Sequence, residues 1–259
     1  MHILTEEQIQ SFDSFVSSHS FFYVVGHKEP DGDCIFSSLG MAEFLKKKEK
    51  QYELLNAGPF KRNEIKKTET AFSKTPVFLS APERKLTGLI LVDCAELSRI
   101  GDMSSELKGL DTFVIDHHKT SAATPNSIID AVAPATTCII QQIYERIIGP
   151  LPKAVAKLLF LGMATDTGYF RFLDENSAEV FAATARLVAA GVNPREIYDE
   201  ITGGKPYSTR KLLGILLNRA ERYYHNKLVI TYETMEDTQK WGTEGRDSDA
   251  LYSLILAAE

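Results

Sequence analysis

The sequence predicts an α/β protein in which a parallel sheet is sandwiched between helices. Continuous apolar runs occur at 21–25 (FFYVV), 88–96 (GLILVDCAE) and 111–120 (DTFVIDHHKT), and each ends in polar residues. Segments with helical patterns separate these runs, which is typical of a parallel sheet covered on both faces. Because the carboxyl ends of parallel strands line a ligand crevice, the polar residues at these ends are predicted to share one site.

The elements of the first part follow one another along the chain. Thr5, with Gln8 three residues later, forms a capping box and predicts a helix over 5–19. A strand at 21–25 precedes a helix over 33–50, whose basic end suits the helix dipole, and a second strand at 51–57. After the two apolar runs we expect a short strand and a helix within 127–149. An apolar helix that ends in an acidic loop is expected within 151–170.

The second part begins after a helix predicted over 175–192. Residues 193–208 carry proline and glycine pairs and are interpreted as a connection. A helix over 208–224 and a strand over 227–234 follow. We therefore predict a metal-binding catalytic domain at 1–195, a linker at 196–207, and a partial second α/β domain at 208–259.

The composition excludes several classes of protein. The 259 residues are 44% hydrophobic and 25% charged, and the formal net charge is -6, which disfavours a broad nucleic-acid groove but permits a small anionic ligand. We expect no signal peptide, no membrane span and no membrane partner. The three widely spaced cysteines argue against a disulfide framework and favour the reducing cytoplasm as the location.

Eight polar residues stand at or near the predicted strand and helix ends. Carboxylates and imidazoles without a thiolate set suit hard-to-borderline divalent ions, and two such ions would neutralise the crowded carboxylates. Each short motif has an ordinary explanation by itself: PDGD is a common turn, and DHH is compatible with a solvated loop. Their joint occurrence in this order predicts a metal site, formed by His27, Asp31, Asp33, Asp93, Asp116, His117, His118 and Asp166.

Four segments resemble the motifs of the DHH phosphoesterase superfamily in order and spacing: GHKEPDGD (26–33), LVDCAE (91–96), VIDHHKT (114–120) and GMATDTGYFRF (162–172). The resemblance covers most of the first 195 residues. Within the superfamily the layout is most similar to the bifunctional oligoribonucleases and 3'-phosphoadenosine 5'-phosphate phosphatases, the nanoRNases. It implies hydrolysis of short RNA or of that nucleotide by a hydroxide that bridges two metal ions, with manganese preferred over magnesium or cobalt.

The resemblance also implies a role for each site residue. His27, Asp31 and Asp93 would hold the first metal ion, and Asp33, Asp93, His117 and Asp166 would hold the second, so that Asp93 bridges both. Asp116 would orient a neighbouring histidine. His118 would face the substrate, and Arg171 would contact a phosphate. An equal alternative is that Arg171 is an ordinary surface arginine beside two phenylalanines, with no role in binding. A homodimer is compatible with the resemblance.

The chain departs from the family pattern in two places. Phe36 stands where family members usually have glycine, and we expect it to reshape or crowd the pocket. No glycine-rich GGGH-like segment of the family's DHHA1-type second domain occurs; GGKP at 203–206 lies in the predicted linker. The sequence is therefore interpreted either as truncated or as a shorter relative without that substrate clamp, with turnover impaired in either case.

Alternative functions stay open at this stage. The first is a DHH hydrolase of pyrophosphate, polyphosphate or cyclic dinucleotides. The second is a non-catalytic scaffold that binds metal, which the missing clamp and Phe36 would suit. The presence of all six proposed metal ligands argues for an enzyme, because a scaffold has no evident need for crowded carboxylates.

Overall fold

A computed structural model describes residues 1–121 and 124–257 of the chain. The chain divides into two compact units, Met1–Ile201 and Thr202–Glu259. Within the described residues, no helix combines the length and the hydropathy that a membrane span requires.

The first unit contains the predicted parallel sheet. Its five strands lie in the order β2-β1-β3-β4-β5, and all neighbouring pairs are parallel. The strands are β1 (Phe21–Val25), β2 (Gln51–Leu55), β3 (Thr87–Val92), β4 (Asp111–Asp116) and β5 (Ser127–Ile129). Because β2 lies on one side of β1 and β3 lies on the other, the direction in which the sheet grows reverses at the β1–β3 pair. Such a switch point opens a crevice at the carboxyl ends of the strands.

The helices of the first unit surround this sheet. The first helix begins as predicted, since the Thr5 side chain accepts from the backbone N–H of Gln8 and the Gln8 side chain accepts from that of Thr5. The helices are α1 (Glu6–Ser18), α2 (Gly32–Lys47), α3 (Asn63–Lys66), α4 (Ala81–Lys85), α5 (Ser104–Leu107), α6 (Thr136–Ile147), α7 (Lys153–Asp166), α8 (Ala178–Ala189) and α9 (Pro194–Thr202), with 3-10 turns at Glu69–Ala71 and Leu97–Ile100.

Both faces of the sheet are buried, which explains why its strands have continuous apolar sequences. In β1, Phe22 and Val24 join the larger hydrophobic cluster, together with side chains of α1, α2, α6 and α7. Tyr23 and Val25, which point the other way, join a second cluster with Leu107 of α5. Alternate side chains of one strand therefore enter two different cores, as expected of a sheet covered on both sides.

Phe36 lies in the larger of these clusters and is 1% exposed. It is a core residue of α2, so its ring contributes packing against neighbouring apolar side chains. Its position in the core does not support the expectation that Phe36 crowds a ligand pocket.

A helix occupies much of the segment that the sequence predicts as a connection. Asn193 accepts from the backbone N–H of Arg195 at 3.1 Å and donates to the Glu196 carboxylate at 3.0 Å, and Pro194 takes the first helical position of α9. Proline is favoured there because the first helical N–H has no intrahelical partner. The interpretation of 193–208 as a plain connection was wrong for Pro194–Thr202. The boundary between the two units, after Ile201, falls inside the stretch 196–207.

The second unit combines three helices and a two-stranded antiparallel sheet: α10 (Tyr207–Asn218), β6 (Glu221–Tyr223), β7 (Leu228–Ile230), α11 (Met235–Trp241) and α12 (Ser248–Leu256). The helix predicted over 208–224 ends at Asn218, because the chain turns into β6 and then reverses through three consecutive left-handed residues at 224–226. The residues of this unit also line a cavity of about 720 Å³.

Candidate metal centre

The first part of the centre follows β1. His27 has its Nδ1 2.9 Å from the carbonyl oxygen of Lys28, which orients the ring so that Nε2 faces Asp93 Oδ2 at 3.3 Å and Asp31 Oδ1 at 3.9 Å. Asp31 is the N-cap of α2 and accepts from the backbone N–H of Cys34 at 3.1 Å. The turn sequence PDGD therefore serves two purposes, since it starts a helix and presents a carboxylate to the strand end.

Asp33 is buried, and the start of α6 holds it in place. Its Oδ1 accepts from the backbone N–H of Thr137 at 3.0 Å and from the Thr137 hydroxyl at 2.8 Å, and its Oδ2 accepts from the backbone N–H of Thr136. These donors are the otherwise unpaired N–H groups of a helix N-terminus, which favours a negative charge. The close packing depends on Gly162 of α7, where a Cβ atom would lie 2.4 Å from Thr137 Cγ2 and 3.2 Å from Asp33 Oδ1.

Asp93 lies at the middle of the cluster, directly after β3. It adopts a left-handed conformation with φ 58°, a strained geometry for a residue other than glycine. Its Oδ1 lies 3.4 Å from Nε2 of His117 and accepts from the Thr136 hydroxyl at 3.1 Å. Its Oδ2 lies 3.3 Å from Nε2 of His27. The two oxygens of one carboxylate thus face two different imidazoles.

The DHH triplet follows β4, and its three side chains point in different directions. Asp116 is fully buried, and its Oδ1 accepts from the backbone N–H of His117 at 2.8 Å and lies 2.7 Å from Nδ1 of His118. The Ser121 hydroxyl bonds to its second oxygen. Because Asp116 occupies Nδ1 of His118, the Nε2 atom of that ring is left for another partner, and the side chain is 36% exposed.

His117 connects the remaining carboxylates. Its Nδ1 is 3.2 Å from the carbonyl oxygen of Ala133, so Nε2 faces the cluster. Nε2 lies 3.4 Å from Asp166 Oδ2 and 4.0 Å from Asp33 Oδ2. Asp166 is the last residue of α7, and the end of that helix packs tightly on the start of α2: a Cβ on Gly32 would lie 2.3 Å from the Thr165 hydroxyl oxygen.

The ionisable groups of the cluster perturb one another strongly. Burial raises the pKa of Asp33 well above its ordinary value, and the charges of Asp93 and Asp166 add to this rise. Burial also raises the pKa of Asp166, to about 6. Asp93 behaves oppositely, because hydrogen bonds with His117 and His27 outweigh its burial and lower its pKa. Burial by itself would lower the pKa of His117, but the bond to Asp93 and the nearby carboxylates raise it to about 10.

These shifts show how the cluster balances its charge without metal ions. The imidazoles of His27 and His117 hold protons more tightly than free histidine does, and they compensate carboxylates that are crowded together in a buried place. Divalent cations would provide the same compensation more effectively. The donor atoms fit them: oxygen and imidazole atoms of Asp33, His117 and Asp166 lie within 4.8 Å of one another, as do those of Asp93, His117 and His118, and a third group combines His27, Cys34 and Asp93.

The structure brings nearly all predicted site residues together. His27, Asp31, Asp33, Asp93, His117 and Asp166 form one connected cluster, with Asp116 and His118 beside it. Arg171 is different: it is exposed, its guanidinium carbon lies 4.9 Å from the centre of the Phe172 ring, and within the described residues it has no hydrogen bond or ion pair with the cluster. Cys34 and Cys94 are buried free thiols, and burial raises the pKa of both.

Sequence reasoning missed the groups that orient the cluster residues. The hydroxyl and backbone groups of Thr136 and Thr137, the Ala133 carbonyl and Ser121 all orient cluster residues. A signal for the threonines exists in the segment PATT, where two hydroxyl residues precede an apolar run, as is common at a helix start. Nothing in that segment says which carboxylate they reach.

Comparison with known proteins identifies a family that matches more than half of the chain. The sequence profile described as "DHH family, N-terminal domain" matches residues 21–163, which include every described cluster residue except Asp166. A protein of Thermus thermophilus named "Bifunctional oligoribonuclease and PAP phosphatase NrnA" is 30% identical over 244 residues, which are 92% of this chain and 69% of that protein.

A second relative carries a different name. The Bacillus pumilus protein called "Probable manganese-dependent inorganic pyrophosphatase" is 23% identical over 243 residues, 91% of this chain and 78% of that protein. Among solved structures, an exopolyphosphatase-related protein from Bacteroides fragilis superposes with a TM-score of 0.84 at 21% identity and covers all of this chain and 78% of its own. At that identity the superposition shows that the fold is shared.

Proposed function

This chain belongs to the DHH family, and on that basis we propose that it is a metal-dependent phosphoesterase that hydrolyses short oligoribonucleotides, 3'-phosphoadenosine 5'-phosphate, or both. Membership supports phosphoester hydrolysis as the class of reaction. The choice of substrate rests on the Thermus thermophilus relative, which is similar over most of the chain.

One observation carries the proposal: Asp93 presents one carboxylate oxygen to each of two imidazoles. His27, Asp31 and Asp93 would hold a first ion, and Asp33, Asp93, His117 and Asp166 would hold a second. Two divalent cations there would polarise a phosphoryl oxygen and lower the pKa of a water molecule. Manganese suits the oxygen and imidazole donors, and the Bacillus pumilus relative is named as manganese-dependent.

The chain's own residues have separate tasks in this scheme. Asp116 accepts from Nδ1–H of His118 and so fixes the ring with Nε2 free for the substrate. In its doubly protonated form the ring would donate from Nε2–H to a phosphoryl oxygen as negative charge builds on it. The start of α6 holds Asp33 in one orientation, which keeps its oxygens at the cluster. Holding these groups in advance lowers the reorganisation that catalysis requires.

Two assignments from the resemblance are carried forward as proposals. The second domain, 208–259, would bind the part of the substrate that does not react. Arg171 would contact a phosphate, although its guanidinium lies over the ring of Phe172. A cation held over an aromatic face keeps its hydrogen-bonding edge free, so the two roles are compatible.

The experiment compares Asp93→Asn with Asp102→Asn, an exposed aspartate outside the cluster. Manganese content and hydrolysis of a short RNA, of the adenosine bisphosphate and of pyrophosphate are measured with each variant. We expect Asp93→Asn to lose most bound manganese and at least about 100-fold in kcat/KM, while Asp102→Asn behaves as wild type. Unchanged metal content and activity in Asp93→Asn would refute the two-metal proposal.

Pyrophosphate hydrolysis is the second candidate function. It is favoured by relatives named as pyrophosphatases, among them the Bacillus pumilus protein. The same cluster would serve, because an anhydride and an ester need the same charge neutralisation. Turnover of pyrophosphate without turnover of RNA or of the bisphosphate would favour this candidate.

A further inference from the structure

Two cationic residues lie in the loops that follow β1 and β3, the strands that lead into His27 and Asp93. Lys28 directly follows His27, and Arg99 lies six residues after Asp93. The backbone N–H of Lys28 donates to the carbonyl oxygen of Arg99 at 2.8 Å. A Cβ on Gly101 would lie 3.9 Å from the Cβ of Lys28, so the two loops are in close contact. We call this pair of exposed residues the Lys28–Arg99 ridge.

The acidic side chains near the ridge already have partners. Glu29 pairs with Lys61, with Oε1 2.6 Å from Nζ, and Glu96 accepts from the Ser98 hydroxyl at 3.0 Å. Within the described ranges, 1–121 and 124–257, neither Lys28 nor Arg99 has a carboxylate within ion-pair distance. Neither residue is therefore committed to an ion pair, although Lys61 and, to a smaller extent, Lys28 lower the pKa of Glu29.

The net charge of the metal centre explains why cations outside it would be needed to bind a longer substrate. The four carboxylates of Asp31, Asp33, Asp93 and Asp166 carry four negative charges, and two divalent cations would cancel them. A loaded centre then has little net charge with which to attract phosphates other than the one that reacts. Further phosphates need cations outside the cluster, and guanidinium and ammonium groups bind phosphate well.

We propose that Lys28 and Arg99 bind a non-reacting backbone phosphate of an oligoribonucleotide. This deepens the proposed function and rests on it, since it assumes that the neighbouring phosphate is held at the metal centre. The two phosphates of pyrophosphate share one bridging oxygen and stay within the centre. Successive phosphates of RNA are separated by a ribose. When one phosphate is held at the metal centre, the next one would therefore reach the loops around that centre.

Binding of a fluorescently labelled pentaribonucleotide tests the proposal directly. The labelled RNA is titrated with the full chain in buffer that contains Ca²⁺ in place of Mn²⁺. Fluorescence anisotropy then gives the Kd of the RNA over a range of salt concentrations. The double variant Lys28→Gln, Arg99→Gln is compared with Lys85→Gln, Lys108→Gln. The control residues are also exposed lysines, but they precede β3 and β4 and so lie at the amino ends of the strands.

We expect the ridge variant to bind about fivefold more weakly, because each exposed charge contact contributes roughly 0.5 kcal/mol. The slope of log Kd against log salt should fall by about 0.7, which corresponds to one neutralised phosphate on a single strand. The lysine control should match wild type. The charge-conserving variant Lys28→Arg, Arg99→Lys should recover most of the affinity.

The outcomes separate this proposal from the proposed function. Equal RNA binding by wild type and ridge variant, or no RNA binding by wild type, overturns the ridge as a phosphate site whatever the activity is. Loss of binding in the ridge variant supports the ridge even if the enzyme turns over pyrophosphate alone, a result that would instead defeat the proposed function. Metal content, measured on every variant, must stay at the wild-type value for the ridge to stand as a separate site.

Discussion

Binding of manganese to the metal-free protein should release protons. Metal coordination requires neutral imidazoles and ionised carboxylates. In the protein without cations, the pKa of His117 is about 10, and the pKa values of His27 and Asp33 are also raised. Near pH 7.5 His117 holds a proton that the ions must displace, because proton and metal compete for the same atom. The raised pKa values of His27 and Asp33 increase the share of these groups that also hold a proton.

The number of protons follows from the shifts. His117 contributes about one, since a pH of about 7.5 lies well below its pKa of about 10. His27 and Asp33 each add up to one more, so the total lies between about one and three per chain. Above pH 10 the share from His117 disappears, because its imidazole is already neutral there. Manganese affinity should accordingly rise with pH up to that point.

Isothermal titration calorimetry in buffers of different ionisation enthalpy measures this number. His117→Ala should lower the count near pH 7.5 by about one, whereas His225→Ala, an exposed histidine of the second unit, should not change it. A heat of binding that is independent of the buffer would show that no protons are displaced. That result, or an unchanged count in His117→Ala, would refute the description of the centre given above.

The same pKa shift predicts how the stability of the metal-free protein depends on pH. The folded pKa of His117 is raised above the ordinary value near 6.5, so its stabilising contribution is complete below that value and is lost as pH rises through about 10. The loss amounts to a few kcal/mol at most. Thermal denaturation after chelation should therefore show Tm falling around pH 10 in wild type and in His225→Ala, and less so in His117→Ala.

Three further variants test how the centre is supported. Asp116→Asn should keep its manganese and lower kcat about 10- to 100-fold, because it disturbs the ring of His118; lost metal would show instead that Asp116 holds the ions. Gly162→Ala should lower Tm and manganese affinity, since the added methyl overlaps Thr137, which binds Asp33. The control Gly214→Ala, with open space around it in α10, should raise the free energy of unfolding by roughly 0.5–1 kcal/mol. Chemical denaturation that finds the same change in stability for both variants would contradict this. Phe36→Ala should destabilise the fold by about 3–5 kcal/mol without changing metal content, and a gain in activity at unchanged stability would place Phe36 in the pocket after all.

Much of the architecture was predictable because the period and the ends of the strands are local properties. Unbroken apolar runs such as 21–25 and 89–92 require two covered faces, and that requirement selects a parallel sheet. Segment 194–202 was missed because proline was interpreted as a break, although at the first helical position it favours a helix. The predicted helix over 208–224 was too long because its apolar spacing continues past Asn218, where left-handed residues at 224–226 allow a hairpin instead.

The sequence alone made the meeting of His27, Asp93 and the triplet at 116–118 predictable, since parallel strands deliver the residues after their carboxyl ends to one edge, whatever the loops between them do. Only the tertiary structure decided how they meet. Thr137 reaches Asp33 across 104 positions of the chain, Asp93 turns one oxygen to each histidine, and Lys28 and Arg99 come together through a backbone hydrogen bond between two loops. Such contacts depend on how helices and loops pack in three dimensions, and no local pattern of residues records that packing.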